Sequence, residues 1–204
     1  QGAEVVLDTA MERGSTDATA QVLQVKAKGV DGVLACLYQP EMVVLLKAAH
    51  KYKLNTPVIG ALGADFGQVI QQVGNPAAVN GVFFQGHLYK DKIGSPALEW
   101  GKQILLKYLT KDELPKTGDP THFYYFGLLN GIGVVEGFRR AGRDLTPDTY
   151  IAAIETLRDF DNNISAGRVT ITPEQHVGIS DMYFNGLDND GNEVIFKAWG
   201  QPLH

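Results

Sequence analysis

The sequence predicts an α/β fold with a doubly wound parallel sheet, and two observations carry that prediction. Between Asp17 and Gly63 one pattern is written twice: a helical run, a short apolar strand, then a loop. Strands that alternate with helices pair in parallel through crossover connections. Between Ser95 and Leu157 the pattern changes to three helical stretches with no strand between them. Such a block does not complete a doubly wound unit, and reads as the covering of a sheet that belongs elsewhere.

Taken in order, Glu4-Val5-Val6-Leu7 reads as a first strand. Asp17 is the expected N-cap of a helix reaching Lys28, with Ala18, Val22 and Val25 spaced along one apolar face. Gly32 to Leu37 is a second strand. The helix that follows has Pro40 in its first turn, where a missing N–H costs nothing. Its run Met42 to Leu46 is too apolar for a helix covered on one side only, while Lys47, Lys51 and Lys53 mark its wet face and end. Pro57 to Gly60 is a third strand, Phe66 to Val73 a short helix, Gly74-Asn75-Pro76 a turn, and Gly81 to Gln85 a fourth strand.

Ser95-Pro96 is a cap-plus-proline helix start, with Trp100, Ile104 and Tyr108 on one face. A second long helix runs from about Thr121 to Ala141 and stops at Gly142. Thr146-Pro147 opens a third, with Tyr150, Ile154 and Leu157 on its apolar side. The chain then returns to β at Gly167 to Ile171, Asp181 to Gly186 and Glu193 to Ala198. Asp188-Asn189-Asp190-Gly191 between the last two is a hairpin signal.

Composition narrows the partners. Of 204 residues, 44% are apolar and 20% charged, as in an ordinary globular protein. The formal charge of −5, with no Lys/Arg cluster, argues against nucleic acid. No apolar run approaches the ~20 residues that span a bilayer. The single Cys36 excludes an internal disulfide, and its place in a strand predicts an inert core thiol. His50, His122, His176 and His204 have no metal-ligand spacing, and no nucleophile elbow or Walker loop is present. The expectation is therefore no enzyme, no cofactor and no metal. Gly127, Gly131, Gly133 and Gly137 form two i, i+4 pairs on one helix, which favours close packing over a nucleotide loop.

A parallel sheet places ligand sites in the loops at the carboxyl ends of its strands. Two such loops open on one edge: Tyr38-Gln39, and Ala61-Leu62-Gly63 continuing to Asp65. Tyr38 and Gln39 bring a hydroxyl and an amide to a helix N-terminus. Asp65 can meet a ligand or cap its own helix.

The order and wording of these segments resemble the type I periplasmic solute-binding proteins of ABC importers, in the branch handling branched-chain amino acids and related small organic molecules. The matching phrases are Asp17-Ala18-Thr19-Ala20-Gln21-Val22-Leu23, Gly32-Val33-Leu34, Tyr38-Gln39-Pro40-Glu41-Met42 and Pro57-Val58-Ile59-Gly60. Tyr125-Phe126-Gly127 opening a long helix and Phe160-Asp161 before the closing strands fit as well. The resemblance implies two α/β lobes that enclose a small-molecule ligand, an extracytoplasmic location (periplasmic, or anchored as a lipoprotein), and ABC permease subunits as partners. It assigns residues 1–88 and 178–204 to the second lobe, and residues 92–176 to returning helices of a first lobe whose sheet is not in this chain. Such helices, deprived of their sheet, imply self-association of the isolated segment. Amino-acid binders of this family carry an acid about where Leu62 falls, so the resemblance points to carboxylates or amino-acid-like ligands, with plain amino acids disfavoured. It also brings His87 and Tyr89 to a hinge crossing, where they either touch the ligand or only shape the hinge. The same fold used as a ligand-sensing domain of a signalling protein is the alternative reading, and an enzyme of the doubly wound class a more remote one.

Overall fold

The computed structural model describes residues 2–61, 64–79, 81–86, 96–114, 122–165, 167–178, 183–188, 190–197 and 201–202. They belong to two units, Gln1–Gly86 with Tyr183–His204, and His87–Met182. Each is described by itself.

In the first unit, α1 (Thr19–Lys28), β1 (Val33–Ala35), α2 (Gln39–Lys51), β2 (Val58–Gly60), α3 (Phe66–Val73) and β3 (Val82–Gly86) follow the expected alternation, with a 3₁₀ turn at Pro76–Val79. The late strands β4 (Tyr183–Leu187), β5 (Glu193–Lys197) and β6 (Gln201–Pro202) complete one six-stranded sheet in the order β1-β2-β3-β4-β5-β6. The first three strands are parallel and the last three antiparallel, so the sheet is mixed. Strand alternation sends Ala35, Val58, Val82 and Phe84 to one face, where they join Val22, Met42, Leu46 and Val69 in a single core. Leu34, Ile59 and Phe83 stand in register on the opposite face, and Leu34 is 69% exposed.

α2 is buried along most of its length, from Met42 to Ala49, as its apolar run requires. Gly60 has a packing role: a Cβ there would lie 2.9 Å from the ring of Phe84, which itself stacks at a tilt on Phe66 with centroids 5.1 Å apart. The Asp188 hairpin closes as expected. Its carboxylate accepts the N–H groups of Asp190 and Asn192 at 2.9 and 2.8 Å, and Gly191 takes a φ of +81°.

Four expectations are corrected, three in this sheet and its flanks and one in the second unit. Residues 4–7 form no strand: Val5 is 84% exposed, and β1 pairs only with β2 among the described residues. A β-prone run without a ladder partner gains nothing over water. Helix α1 starts at Thr19 with Ala18 in the capping position. Asp17, one residue earlier, still accepts the Thr19 N–H at 3.2 Å and its hydroxyl at 2.7 Å. The strand expected to reach Leu37 stops at Ala35, which leaves Cys36 exposed at the loop rather than buried in a strand. In the second unit, residues 167–171 form no strand but an isolated bridge, Val169 with Phe160, while the N–H groups of Thr170 and Ile171 donate to the carbonyls of Gly178 and Leu157.

The second unit is helical: α4 (Pro96–Tyr108), α5 (His122–Ala141) and α6 (Pro147–Ile154). α5 ends at Gly142 with φ +76°, the left-handed conformation that favours glycine. Thr146 and Thr149 exchange reciprocal hydrogen bonds in a capping box at the start of α6. Of the four α5 glycines, Gly137 is the one packed closely against another described residue. A Cβ there would lie 2.6 Å from the ring of Tyr150 on α6, while a Cβ at Gly127, Gly131 or Gly133 would meet nothing within 4 Å among the described residues. Leu98, Leu129 and Ile164 form a small core. Leu157, expected on a bare helix face, is fully buried. Trp100 and Tyr108 are exposed, and a groove of about 670 Å³ opens between Trp100, Leu105, Tyr124, Leu128, Val135 and Phe160.

Candidate functional site

The carboxyl edge of the parallel strands is assembled by hydrogen bonds between its loops. Tyr38 is the residue before α2, in extended conformation, with Pro40 in the first turn behind it. Its side chain is exposed, and the guanidinium carbon of Arg13 lies 5.1 Å from its ring centroid. Gln39 reaches across to the next loop, where its amide donates to the Gln68 side-chain oxygen at 3.0 Å and accepts the Asp65 N–H at 3.4 Å. Asp65 in turn caps α3 by accepting the Gln68 N–H at 2.8 Å. Gln39, Asp65 and Gln68 thus form a bracket that ties the two loops together. Ala61 continues the ladder through its N–H to the Ala35 carbonyl at 3.0 Å.

The sequence pattern placed Tyr38, Gln39, Ala61 and Asp65 on one edge, and the structure brings all four there. The role of two of them is narrower than a free binding group, since Gln39 spends one donor and one acceptor on the bracket and Asp65 serves as a helix cap. Leu62, Gly63, His87 and Tyr89 lie outside the described residues.

One further residue belongs to this edge. β4 runs antiparallel to β3 with Tyr183 opposite Gly86, so its first residue sits beside the carboxyl end of β3. The Tyr183 ring is buried, and that burial, with the Asp65 charge adding to it, pushes the phenol up to about 12. Tyr183 is therefore a neutral hydroxyl beside a carboxylate throughout the physiological range. The signal in the sequence was the Tyr at the head of a late strand. Only the antiparallel pairing turns that into a position on the edge.

The groove of the second unit has different chemistry. Its lining is mostly apolar, and its carboxylate, Glu136, takes Arg139 at 2.8 Å and Arg140 at 2.7 Å. Those hydrogen bonds hold Glu136 down at about 2, so it is an anion already paired within its own helix. The sheet edge offers convergent polar groups from several elements and the groove does not, so the edge is the candidate site. Among the described residues no three His, Cys, Asp or Glu side chains group as metal ligands. No described helix is long and apolar enough to cross a membrane.

A family model described as periplasmic binding protein matches residues 1–192. Among solved structures, a branched-chain amino acid ABC transporter protein from Thermus thermophilus with bound valine superposes with a TM-score of 0.74 at 22% identity, over 93% of this chain and 50% of that one. A type 1 periplasmic binding protein from Bordetella pertussis gives 0.64 at 22% identity, over 92% and 51%. A fatty acid ABC transporter substrate-binding protein from Thermomonospora curvata gives 0.67 at 22%, over 95% and 48%. The chain thus spans about half the length of the solved structures it matches, and at these identities the likeness shows the fold. No curated protein matches the sequence significantly.

Proposed function

The chain belongs to the periplasmic binding protein family, and from that premise we propose that it carries much of the ligand site of an extracytoplasmic solute-binding component of an ABC importer. Binding is reversible and involves no covalent chemistry. The observation that carries this reading is the Gln39–Asp65–Gln68 bracket, which fixes two loops at the edge where a parallel sheet presents its ligand sites. On this reading residues 1–88 and 178–204 are one lobe, with Tyr38, Gln39, Ala61, Leu62, Gly63, Asp65 and His87 as its binding residues and Tyr183 added to them. Residues 92–176 are helices of the other lobe. ABC permease subunits are the partners.

The ligand is a small organic carboxylate without an α-amine. A buried ammonium needs an anionic partner, and without one it costs several kcal/mol. Leu62 offers none, and Asp65 caps α3. Of the solved structures named above, one holds valine, an α-amino acid, and another is named a fatty acid ABC transporter substrate-binding protein; the second name is the one consistent with an apolar carboxylate. A calorimetric panel on the complete protein is expected to favour carboxylates lacking an α-amine over leucine, isoleucine and valine by tenfold or more. Tighter binding of leucine that disappears when its amine is removed would overturn this ligand class.

A further inference from the structure

Residues 10–17 form a strap across the start of α2, held by contacts distant in sequence. The Gly14 N–H donates to Glu41 Oε1 at 2.7 Å, the Gln21 amide donates to the Ala10 carbonyl at 2.9 Å, and Met11 packs against the main core. Gly14 adopts φ +82°, which lets the chain turn its N–H toward α2. Glu41 is only 4% exposed, and its second oxygen has no hydrogen-bond partner among the described residues. The Gly14 N–H, with its own N–H and the Arg13 charge adding, keeps the Glu41 carboxyl below the usual carboxylate range. Burying a carboxylate with one oxygen unpaired is unfavourable. What the tether achieves is visible next to it: it holds Arg13 over the exposed ring of Tyr38.

We propose that Arg13 is the group on this sheet edge that recognises the carboxylate of the ligand, with the Tyr38 ring as the ledge on which it rests. Arg13 is exposed and has no carboxylate within ion-pair distance among the described residues. Its guanidinium carries five N–H donors in a planar fork that matches a carboxylate, and an aromatic face fixes such a cation at little cost in hydration. Arg13 brings a positive charge to an edge whose other described groups are Asp65, the buried Glu41 and the neutral Tyr183. Glu41 acts through the strap as a positioning residue. This inference rests on the reading that Tyr38 borders the ligand site.

The test uses the complete protein, titrated by calorimetry with valerate, octanoate and benzoate and with the primary amide of each. The wild type is expected to bind at least one acid more tightly than its amide. Arg13→Gln should weaken that acid by tenfold or more and leave the amide within about twofold, so that the preference collapses, since hydrogen bonds to charged groups are the strong ones. Arg13→Lys should keep part of the preference. A loss of packing alone would weaken acid and amide together. Acid binding with the acid-to-amide ratio unchanged in Arg13→Gln overturns the role of Arg13 and leaves the functional reading standing. A wild type that binds none of the acids overturns the functional reading itself.

Discussion

Phe84→Ala is expected to lower the unfolding free energy by about 3–5 kcal/mol, a large share of the ~5–15 kcal/mol that holds a typical domain together. Phe84 is 1% exposed and is the largest fully buried side chain among the described residues. It sits on β3, the strand that joins the parallel and antiparallel halves of the sheet. Its ring contacts Phe66, and Gly60 on β2 leaves just enough room for it. Adding a methyl group there, as Gly60→Ala, should therefore cost about 1–3 kcal/mol by overpacking. The two substitutions share one space, so they should not add. In a Phe84→Ala background the new methyl enters the cavity left behind, and the cost of Gly60→Ala should vanish or change sign. Denaturant unfolding of the four proteins checks this. Additive costs, or a Phe84→Ala loss below about 1 kcal/mol, would show that the core is not centred on this ring.

Residues 1–204 expressed alone are expected to self-associate and to bind ligand weakly. Trp100 is 51% and Val135 64% exposed on either side of the groove in the helical unit, and Tyr108, Val134 and Phe138 are exposed too. Burying a large apolar side chain is worth roughly 1.5–3 kcal/mol, and monomers rarely leave a contiguous apolar patch of more than a few hundred Å² in water. Affinity should suffer as well. A micromolar site corresponds to ~8 kcal/mol, and keeping half of that free energy moves it toward millimolar. Sedimentation of the segment tests the first part and calorimetry the second. A monodisperse monomer with micromolar affinity would mean that these residues form a complete binding domain.

What was legible in the sequence is what local chemistry decides. Pro40, Thr146-Pro147 and Gly142 mark helix ends by backbone rules that hold whatever the helix packs against, and the Asp188 turn carries its own hydrogen bonds. The apolar run of α2 announces its burial in the same way. Strands are different, because a strand exists only with a partner. Residues 4–7 and 167–171 carry β-branched side chains as Val58–Gly60 does, yet among the described residues only the last of the three forms a strand. The site divides along the same line. Tyr38, Gln39 and Asp65 follow from βα succession alone. Tyr183 depends on the antiparallel return of a strand nearly a hundred residues later. Arg13 depends on a tether to Glu41 that spans 27 positions and leaves no periodic trace.

On the proposed function ligand is held at the carboxyl edge of the parallel strands, and alanine substitution there tests this most directly. In the complete protein, calorimetry on Tyr38→Ala and Gln39→Ala should show binding weakened by at least a hydrogen bond's worth, ~1 kcal/mol each. Tyr38 loses the ledge and hydroxyl, and Gln39 loses the bracket that fixes both loops. Asp188→Ala, which disturbs only the hairpin joining β4 and β5, should leave affinity unchanged. Equal losses at the edge and at the hairpin, or none at the edge, would contradict the account.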